Sequence, residues 1–160
     1  MNPSWLPPMA TVAPLRLYED LNIGDEFVTA TRTLTEADLV WFCSFTGDWL
    51  PIHSDEEFAK TTEFEGRIFH GQCGYAIATG LVSRSGLFNG AMVVLESTLK
   101  YKQVLKVGDT IRVRQVLSNK RETKKSDRGI LWWDTSIINQ RNEVVTEGPW
   151  TVMWRRREQV

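Results

Sequence analysis

No charged residue occurs in the stretch GQCGYAIATGLV (residues 71–82). Its larger apolar side chains recur at four-residue intervals, at Cys73, Ile77 and Leu81. This spacing predicts a helix that is apolar on nearly all sides and therefore buried. Gly74 and Gly80 each cost about 1 kcal/mol in a helix interior relative to alanine, so we expect the backbone of a sheet to pass close to them. The stretch predicts a central helix that a sheet must cover.

The residues around this helix alternate as β-strands do. Strands are predicted over residues 27–34, 93–102, 110–117, 130–138 and 144–154. Gly148-Pro149 interrupts the last strand, which indicates a bulge or an edge position. The polar residues 120–128 predict an exposed loop, and Trp132 and Trp133 should point to opposite faces of their strand. One helix and a mainly antiparallel sheet make an α+β domain.

Two short helices are predicted before the central one. Thr35 and Asp38 form a capping-box pattern, and helical spacing then continues to about Phe45. Ser54 has a carboxylate three residues later, at Glu57, and predicts a second helix that begins just beyond His53. The connection between these helices is therefore tight.

Composition fits one soluble globular domain: of 160 residues, 42% are hydrophobic and 24% charged. Residues 1–16 hold four of the six prolines and are predicted to form an extended arm, with the domain over residues 17–157. The seven tryptophans supply more apolar surface than a small monomer needs, and one helix leaves sheet edges uncovered. We therefore expect a homodimer or a higher oligomer of dimers.

The charge balance excludes several classes of partner. A formal net charge of −1 gives no case for nucleic-acid binding, and no apolar stretch approaches the roughly 20 residues that span a bilayer. The first residues lack a secretory signal pattern, and two cysteines suggest no disulfide framework, so a cytoplasmic location is expected. Arg155-Arg156-Arg157 is predicted to be a solvated strand end, with contact to a coenzyme A phosphate as the alternative.

The segment TGDWLPIH (residues 46–53) places a carboxylate and an imidazole, Asp48 and His53, five residues apart. Gly47 permits a sharp reversal of the backbone and Pro51 fixes its own φ angle. We therefore expect both side chains to point to one place and to share one water molecule. The alternative is a structural turn in which the carboxylate caps a helix and the imidazole makes a satisfied hydrogen bond.

The run GRIFHG (residues 66–71) leads directly into the central helix. A helix that begins at Gly71 directs its first backbone amides outward, at the positive end of its dipole. His70 is predicted to fix this junction more than to take part in chemistry. The cysteines and histidines of the chain are Cys43, His53, His70 and Cys73. Their separations do not match the paired spacing of a zinc site, so we predict none.

With these two motifs, residues 17–157 resemble the MaoC-like acyl dehydratases, the family that contains the (R)-specific enoyl-CoA hydratases. FTGDWLPIHSD (residues 45–55) is similar to the hydratase motif of that family, and residues 66–71 are similar to its second hallmark. Gly108-Asp109-Thr110-Ile111 is similar to a later segment in many members. The resemblance implies a single hot-dog domain, in which an antiparallel sheet wraps around a central buried helix.

The resemblance also implies an activity, the reversible addition of water across the trans-2 double bond of an acyl-CoA thioester. Asp48 would take a proton from water as its oxygen attacks C3, and His53 would hold the same water and help deliver a proton to C2. Because one water supplies both atoms, addition is syn. The backbone N–H of Gly71 would stabilise the thioester oxygen. Ile52, Phe69 and His70 would contact the substrate, and no metal or redox cofactor is implied.

This sequence departs from the family pattern at two positions. Leu50 stands where the family commonly has asparagine, and Phe69 replaces the small residue common before the His-Gly pair. Two other functions stay open: a thioesterase on the same fold and a non-catalytic acyl-thioester-binding subunit. Thioesterases of this fold commonly place a carboxylate on the central helix, and residues 71–82 contain none.

Overall fold

The computed structural model describes residues 14–157. The described elements, in chain order, are a 3₁₀ turn (Tyr18–Asp20), β1 (Glu26–Val28), β2 (Arg32–Thr33), α1 (Glu36–Thr46), α2 (Pro51–Ser54), α3 (Glu56–Lys60), α4 (Gly71–Arg84), β3 (Ala91–Ser97), β4 (Lys100–Tyr101), β5 (Thr110–Glu122), β6 (Arg128–Ile138) and β7 (Val144–Arg155). The predicted arm, residues 1–16, lies mostly outside the described residues. Its described end is packed on the domain, since the carbonyl of Arg16 accepts a hydrogen bond from Trp154 Nε1 at 2.7 Å.

The strands form an antiparallel sheet in the order β1-β5-β6-β7-β3. β2 pairs with β5, and β4 pairs with β7. The three long strands β5, β6 and β7 make the centre of this sheet, and tight turns join them. The prediction of an α+β domain built on one antiparallel sheet is confirmed.

α4 packs against the sheet through one side, on which Cys73, Gly74, Ala78, Leu81 and Val82 are buried. The prediction that this helix is buried on nearly all sides is wrong within the single chain, because Gln72, Ala76 and Gly80 are exposed. Gly74 does lie at a close approach, but to a side chain and not to sheet backbone: an added Cβ would come within 2.6 Å of Leu105 Cδ1. Gly80 has no neighbour within 4 Å of such a Cβ, so close packing does not explain it.

Aromatic rings fill the space between α4 and the sheet. The ring of Phe88 lies 5.4 Å from Trp133, 6.2 Å from Trp150 and 5.1 Å from Trp154, measured between centroids. Trp133 is fully buried in this cluster, whereas Trp132 on the opposite face is only partly buried. The prediction of opposite faces for the tryptophan pair is therefore confirmed. Full burial of one large apolar side chain contributes roughly 1.5–3 kcal/mol, so this cluster is a main source of stability.

The helices α1 and α3 begin at well-defined caps. The predicted capping box of α1 is confirmed: Asp38 N–H donates to the Thr35 side chain, and Asp38 Oδ2 accepts from Thr35 N–H at 2.9 Å. The predicted cap at Ser54 is wrong. Its hydroxyl donates to Trp49 O at 3.0 Å, and Asp55 caps α3 by accepting from the N–H of Phe58 at 3.0 Å.

Three strand predictions need correction. The predicted first strand divides into β1 and β2, because the Thr29 hydroxyl accepts from Val113 N–H at 3.0 Å and replaces a regular ladder contact there. β5 continues to Glu122, so the exposed loop covers only residues 123–127. The predicted single strand over residues 93–102 divides into β3 and β4.

Gly148-Pro149 lies in an interior strand, not at an edge. Pro149 pairs in register with Asp134 of β6. The irregularity lies on the side of β7 that faces β3 and β4, where the pairing strand is interrupted between these two elements. Gly148 has a φ of 158°, and an added Cβ would lie 1.9 Å from the carbonyl oxygen of Thr98. The glycine therefore allows the neighbouring strand to cross close to the β7 backbone.

The basic residues after β7 are largely paired. Arg156 bonds Glu19 and Glu122 at 3.0 Å each, and Arg157 bonds Asp20 at 2.7 Å. The prediction of a solvated strand end is therefore wrong for Arg156, whose side chain is only 9% exposed, whereas Arg157 stays exposed to solvent. These ion pairs connect the end of β7 to acidic residues of the 3₁₀ turn and of β5.

β3 has a pairing partner, β7, on one side only. Four successive apolar residues on this edge strand are exposed: Met92, Val93, Val94 and Leu95. Within residues 14–157 the helices are too short or too polar to cross a membrane.

Candidate active site

The end of α1 positions the Asp48 carboxylate. Gly47 closes the helix with a left-handed φ of 75°, and its N–H donates to Cys43 O at 2.8 Å. The chain then turns sharply, so that Asp48 N–H donates to Thr46 Oγ1 at 3.2 Å and Leu50 N–H donates to Asp48 Oδ1 at 3.3 Å. The carboxylate keeps 42% side-chain exposure and has one oxygen held by the main chain.

α2 positions the His53 imidazole. Pro51 begins this helical turn, and His53 N–H donates to Leu50 O at 2.8 Å. The ring nitrogen Nδ1 lies 2.8 Å from the carbonyl oxygen of Ile68. Since a carbonyl only accepts hydrogen bonds, Nδ1 carries the proton of the neutral ring and Nε2 keeps its lone pair. The ring is nearly buried, at 9% exposure.

His70 joins these two residues. One side-chain oxygen of Asp48 and one ring nitrogen each of His53 and His70 lie within 4.8 Å of one another. The rings of the two histidines stack at 3.7 Å with an interplanar angle of 25°. His70 Nε2 lies 3.1 Å from the Asp48 main-chain oxygen and 3.5 Å from Oδ2 of the same residue. The expected convergence of carboxylate and imidazole is thus present, together with a second imidazole.

Burial lowers the pKa of His70 below its ordinary value, and the neighbouring His53 acts in the same direction. The contacts with Asp48 oppose this shift without cancelling it. His70 is therefore neutral near pH 7. Its second nitrogen, Nδ1, is buried and has no hydrogen-bond partner in the described part of the chain.

A cavity of 280 Å³ opens at this cluster. Its walls are formed by Asp48, His53, Ile68, Phe69, His70, Gly71, Gln72, Tyr101, Gln103, Val104, Leu105 and Thr146. Phe69 is buried and belongs to the hydrophobic core cluster, and it also forms part of the cavity wall. Ile52, which was predicted to contact substrate, is not among the residues that line it. Its carbonyl instead accepts from Ile68 N–H at 3.2 Å and holds the segment that binds His53.

Gly71 is the first residue of α4 and presents its backbone at the cavity. Its N–H has no hydrogen-bond acceptor among the described residues. The ring of Tyr101 packs against it so closely that an added Cβ would lie 2.4 Å from Tyr101 Cε1. Only glycine leaves the ring in this place, and the free amide at the helix N-terminus favours a negatively charged oxygen.

Sequence reasoning missed Tyr101, Gln103 and Thr146, which β4, β7 and their flanks bring to the cavity. It also missed Arg67, whose guanidinium bonds Glu36 of α1 at 2.8 Å and Glu56 of α3 at 3.1 Å. The position of Arg67 inside the GRIFHG motif was the available signal. Its two ion pairs fasten both helices to the segment that leads into α4.

The spacing of Asp48, His53 and His70 would also admit a metal ion. The two cysteines are not part of this group. Both are buried, and burial raises the pKa of Cys73 to about 11, so it is a thiol at neutral pH. The absence of a metal cofactor stays a prediction, which chelation tests.

Leu50 has a different environment from the one its motif position suggests. Its side chain is 58% exposed, while its backbone N–H holds the Asp48 carboxylate. The main chain thus supplies a brace that the missing asparagine amide was expected to provide.

Comparison with known proteins agrees with these observations. The model of the MaoC-like domain matches residues 20–131. Protein MaoC of Klebsiella aerogenes is 35% identical over 129 residues, which make up 77% of this chain but 38% of that protein. An (R)-specific enoyl-CoA hydratase of Rhodospirillum rubrum is 29% identical over 139 residues. The alignment covers 87% of this chain and 92% of that protein.

Solved structures show the same fold. A MaoC-like dehydratase from Rhodospirillum rubrum superimposes with a TM-score of 0.83 at 29% identity, over 90% of this chain and 99% of that one. The Mycobacterium tuberculosis protein RV0216, described as a double hot-dog fold, gives a TM-score of 0.80 over 91% of this chain and 46% of that one. At 18% identity it supports the fold alone. The predicted hot-dog fold is confirmed.

Proposed function

Because the chain belongs to the MaoC-like dehydratase family, we propose that its Asp48 and His53 add water to, or remove it from, an enoyl thioester. The proposed class of activity is that of an acyl-CoA hydratase or dehydratase, because its relatives are named as such enzymes. The assignment of catalytic roles to these residues rests on one observation: Asp48 and His53 converge at the cavity that the free Gly71 amide also lines. The roles of these residues are the proposal.

The two ionisable groups suit a single water molecule. One O–H of the water donates to a carboxylate oxygen of Asp48 and the other to the lone pair on His53 Nε2. This nitrogen is open because Nδ1 is committed to Ile68 O. Acid and base groups positioned in this way typically contribute about 10²–10⁴-fold to rate.

In hydration, the water oxygen forms a bond to C3 while Asp48 takes one of its protons. The π electrons of the double bond move through C2 to the thioester oxygen and form an enolate. The proton taken by Asp48 passes to the lone pair of His53 Nε2, which delivers it to C2, and the enolate electrons form the new C2–H bond. Both atoms come from the same face, so addition is syn. Dehydration follows the same steps in reverse.

The enolate needs a donor at its oxygen, and the Gly71 N–H is suitably placed. It lies at the positive end of α4, at the same cavity as the acid–base pair, and no acceptor within residues 14–157 competes for it. Removal of one such donor typically costs about 10²–10³ in rate. This requirement supports the proposed order of groups: acyl carbonyl at Gly71, reactive double bond beside Asp48 and His53.

A thioesterase is the alternative that the sequence left open. α4 contains no carboxylate along Gly71–Arg84, and no observation among the described residues favours hydrolysis. The same cluster argues against a non-catalytic binding subunit, because a carboxylate and an imidazole nitrogen are held at one cavity by main-chain bonds.

We also propose that the chain assembles as a homodimer through β3. The apolar edge strand Ala91–Ser97 has an unpaired side and exposed residues from Met92 to Leu95, which is a surface that proteins usually cover. Val94→Lys should convert the dimer to monomer in light scattering, and a variant that remains dimeric would contradict this interface. The cytoplasmic location stays a prediction.

The function is tested with crotonyl-CoA and longer trans-2-enoyl-CoA substrates. Loss of enoyl absorbance and release of free thiol are followed separately in the same reaction. We expect loss of absorbance without thiol release, and activity that persists after dialysis against EDTA. Thiol release without hydration would favour the thioesterase.

A further inference from the structure

We propose that His70 is a positioning residue, whose neutral ring fixes both the Asp48 loop and the His53 ring and thereby holds the acid–base pair in its reactive geometry. This inference rests on the proposed function for its kinetic test. It extends the sequence expectation that His70 fixes the junction before α4, and it replaces the contact with substrate that the family resemblance implied.

The first support is the hydrogen bond between His70 and the Asp48 loop. His70 Nε2 lies 3.1 Å from the Asp48 main-chain oxygen. That oxygen can only accept, so Nε2 carries the proton of the neutral ring. The bond ties the turn after α1 to the N-terminus of α4, across 22 residues of sequence. No other side chain among residues 14–157 donates to this carbonyl.

The second support is the stacking of the two imidazoles. Their centroids lie 3.7 Å apart, and the ring of Phe42 also contacts His70, at 5.0 Å between centroids. A buried ring with two such neighbours has little freedom to rotate. His53 is held from a second direction by Ile68 O, so its Nε2 points in a defined direction.

The third support is that the surroundings of His70 disfavour a charged ring. It is 4% exposed, and protonation would place a proton on Nδ1, which has no acceptor among the described residues. The titratable groups that face it are Asp48 and His53. Burial holds its pKa below the ordinary value, so it stays neutral while those two groups exchange protons.

These constraints predict opposite tautomers for the two histidines. His53 should be protonated at Nδ1 and His70 at Nε2, because each ring nitrogen faces a main-chain carbonyl. His70 also directly precedes Gly71, so the same residue links the loop of the base, the ring of its partner and the amide that receives the thioester oxygen.

Two variants separate the two contacts. His70→Gln keeps a donor at about the reach of Nε2 and removes the ring, whereas His70→Phe keeps a ring and removes the donor. We expect kcat to fall about 10-fold in His70→Gln and about 100-fold in His70→Phe, since small misplacements of reacting groups cost this much. KM should change less than about 3-fold, and both limbs of the pH–kcat/KM profile should remain in His70→Gln. Asp55→Asn, which keeps its helix cap, is the matched control and should behave as wild type.

Three kinetic results would overturn the proposal. A large increase in KM at unchanged kcat would make His70 a substrate contact, and the loss of one limb of the pH profile would make it a proton donor. If kcat fell only in proportion to the fraction of protein that is unfolded at the assay temperature, His70 would be a purely structural residue.

A measurement that does not need activity separates this inference from the proposed function. The chain has two histidines, so ¹⁵N NMR of their imidazoles is easily assigned with His70→Phe as the reference. We expect an Nε2–H tautomer for His70 that stays neutral below the ordinary histidine pKa of about 6.5, and an Nδ1–H tautomer for neutral His53. Equal tautomers, or a charged His70 at pH 7, would contradict the inference even if the enzyme hydrates crotonyl-CoA. An inactive wild-type protein with the expected tautomers would instead contradict the proposed function alone.

Discussion

The central strands and the segment between α1 and α4 are held together by different kinds of contact. In β5, β6 and β7, long main-chain ladders and buried aromatic rings hold the structure together. Between Gly47 and Gly71, short helices are fastened by side chains that bond distant main-chain atoms, as His53 does to Ile68 and His70 to Asp48. The sheet therefore determines stability, and the loop segment determines the geometry of the acid–base pair. Substitutions in the two regions should have separable effects.

The largest effect is expected for the acid–base pair. Asp48→Asn and His53→Gln should each lower kcat about 10²–10⁴-fold, which corresponds to roughly 3–5 kcal/mol of transition-state stabilisation. Their melting temperatures should stay close to that of wild type, because neither side chain lies in the apolar core. Hydration of crotonyl-CoA and thermal unfolding are measured on the same samples.

Asp55→Asn is the control, since it removes a carboxylate from the same segment but outside the cavity. If Asp48→Asn retained full activity, or if the control lost as much, the loop segment would not contain the catalytic base.

In the sheet, Trp133→Ala should give the opposite pattern. Trp133 is fully buried in the aromatic cluster, and truncation of such a side chain usually costs about 3–5 kcal/mol of folding free energy. Its indole N–H has no partner, so Trp133→Phe should lose packing but no hydrogen bond and cost clearly less. Denaturant unfolding gives both values. Equal losses in the two variants would show that packing volume does not determine stability here.

A smaller effect is expected at Asp109, where the chain enters β5. Its carboxylate is buried and accepts from Lys106 N at 2.9 Å, Gln140 Nε2 at 2.7 Å and Arg141 Nη1 at 3.1 Å. Burial alone would raise the pKa of this group, but these donors hold it below the ordinary value. Its contribution is therefore complete above the pKa of the unfolded chain and is lost as pH falls through the lower folded value.

Asp109→Asn should accordingly cost about 1–3 kcal/mol at pH 7. The difference from wild type should shrink on acidification, as measured by urea unfolding between pH 7 and pH 3. A constant difference over this range would mean that the carboxylate charge is not what the donors stabilise.

The smallest effect is expected at Leu50, which belongs to the loop but points to solvent. Because its main-chain N–H already holds the Asp48 carboxylate, Leu50→Asn should change kcat/KM by less than about 3-fold. An increase of ten-fold or more would show that the family amide supplies something that the main chain does not.

The two regions also differ in how far the sequence predicts them. Period-two alternation placed β6 and β7 closely, because each strand has one face in the core, and it assigned Trp132 and Trp133 to opposite faces. The pattern did not predict the strand break at Thr29, where a side chain replaces a ladder bond. Nor did it predict the close approach of Thr98 to Gly148, which involves a neighbouring strand. Such contacts depend on the tertiary structure and leave no local signal.

In the candidate site, the motif spacing predicted that Asp48 and His53 would lie close together, because the turn chemistry of glycine and proline is local, and both do line one cavity with Gly71. The stacking of His70 on His53 depends on how α2 meets the start of α4, and the packing of Tyr101 over Gly71 depends on how β4 meets it. Sequence alone also gave the wrong cap, since Ser54 and Asp55 are both good capping residues and only their surroundings choose between them.

The stereochemistry of hydration in D₂O tests the central claim most directly. If Asp48 and His53 act on one water molecule, deuterium at C2 and the hydroxyl group at C3 must enter from the same face of crotonyl-CoA, and proton coupling in the isolated product will show a single syn diastereomer. An anti product, or a mixture of both diastereomers formed in the enzymatic step, would contradict the account.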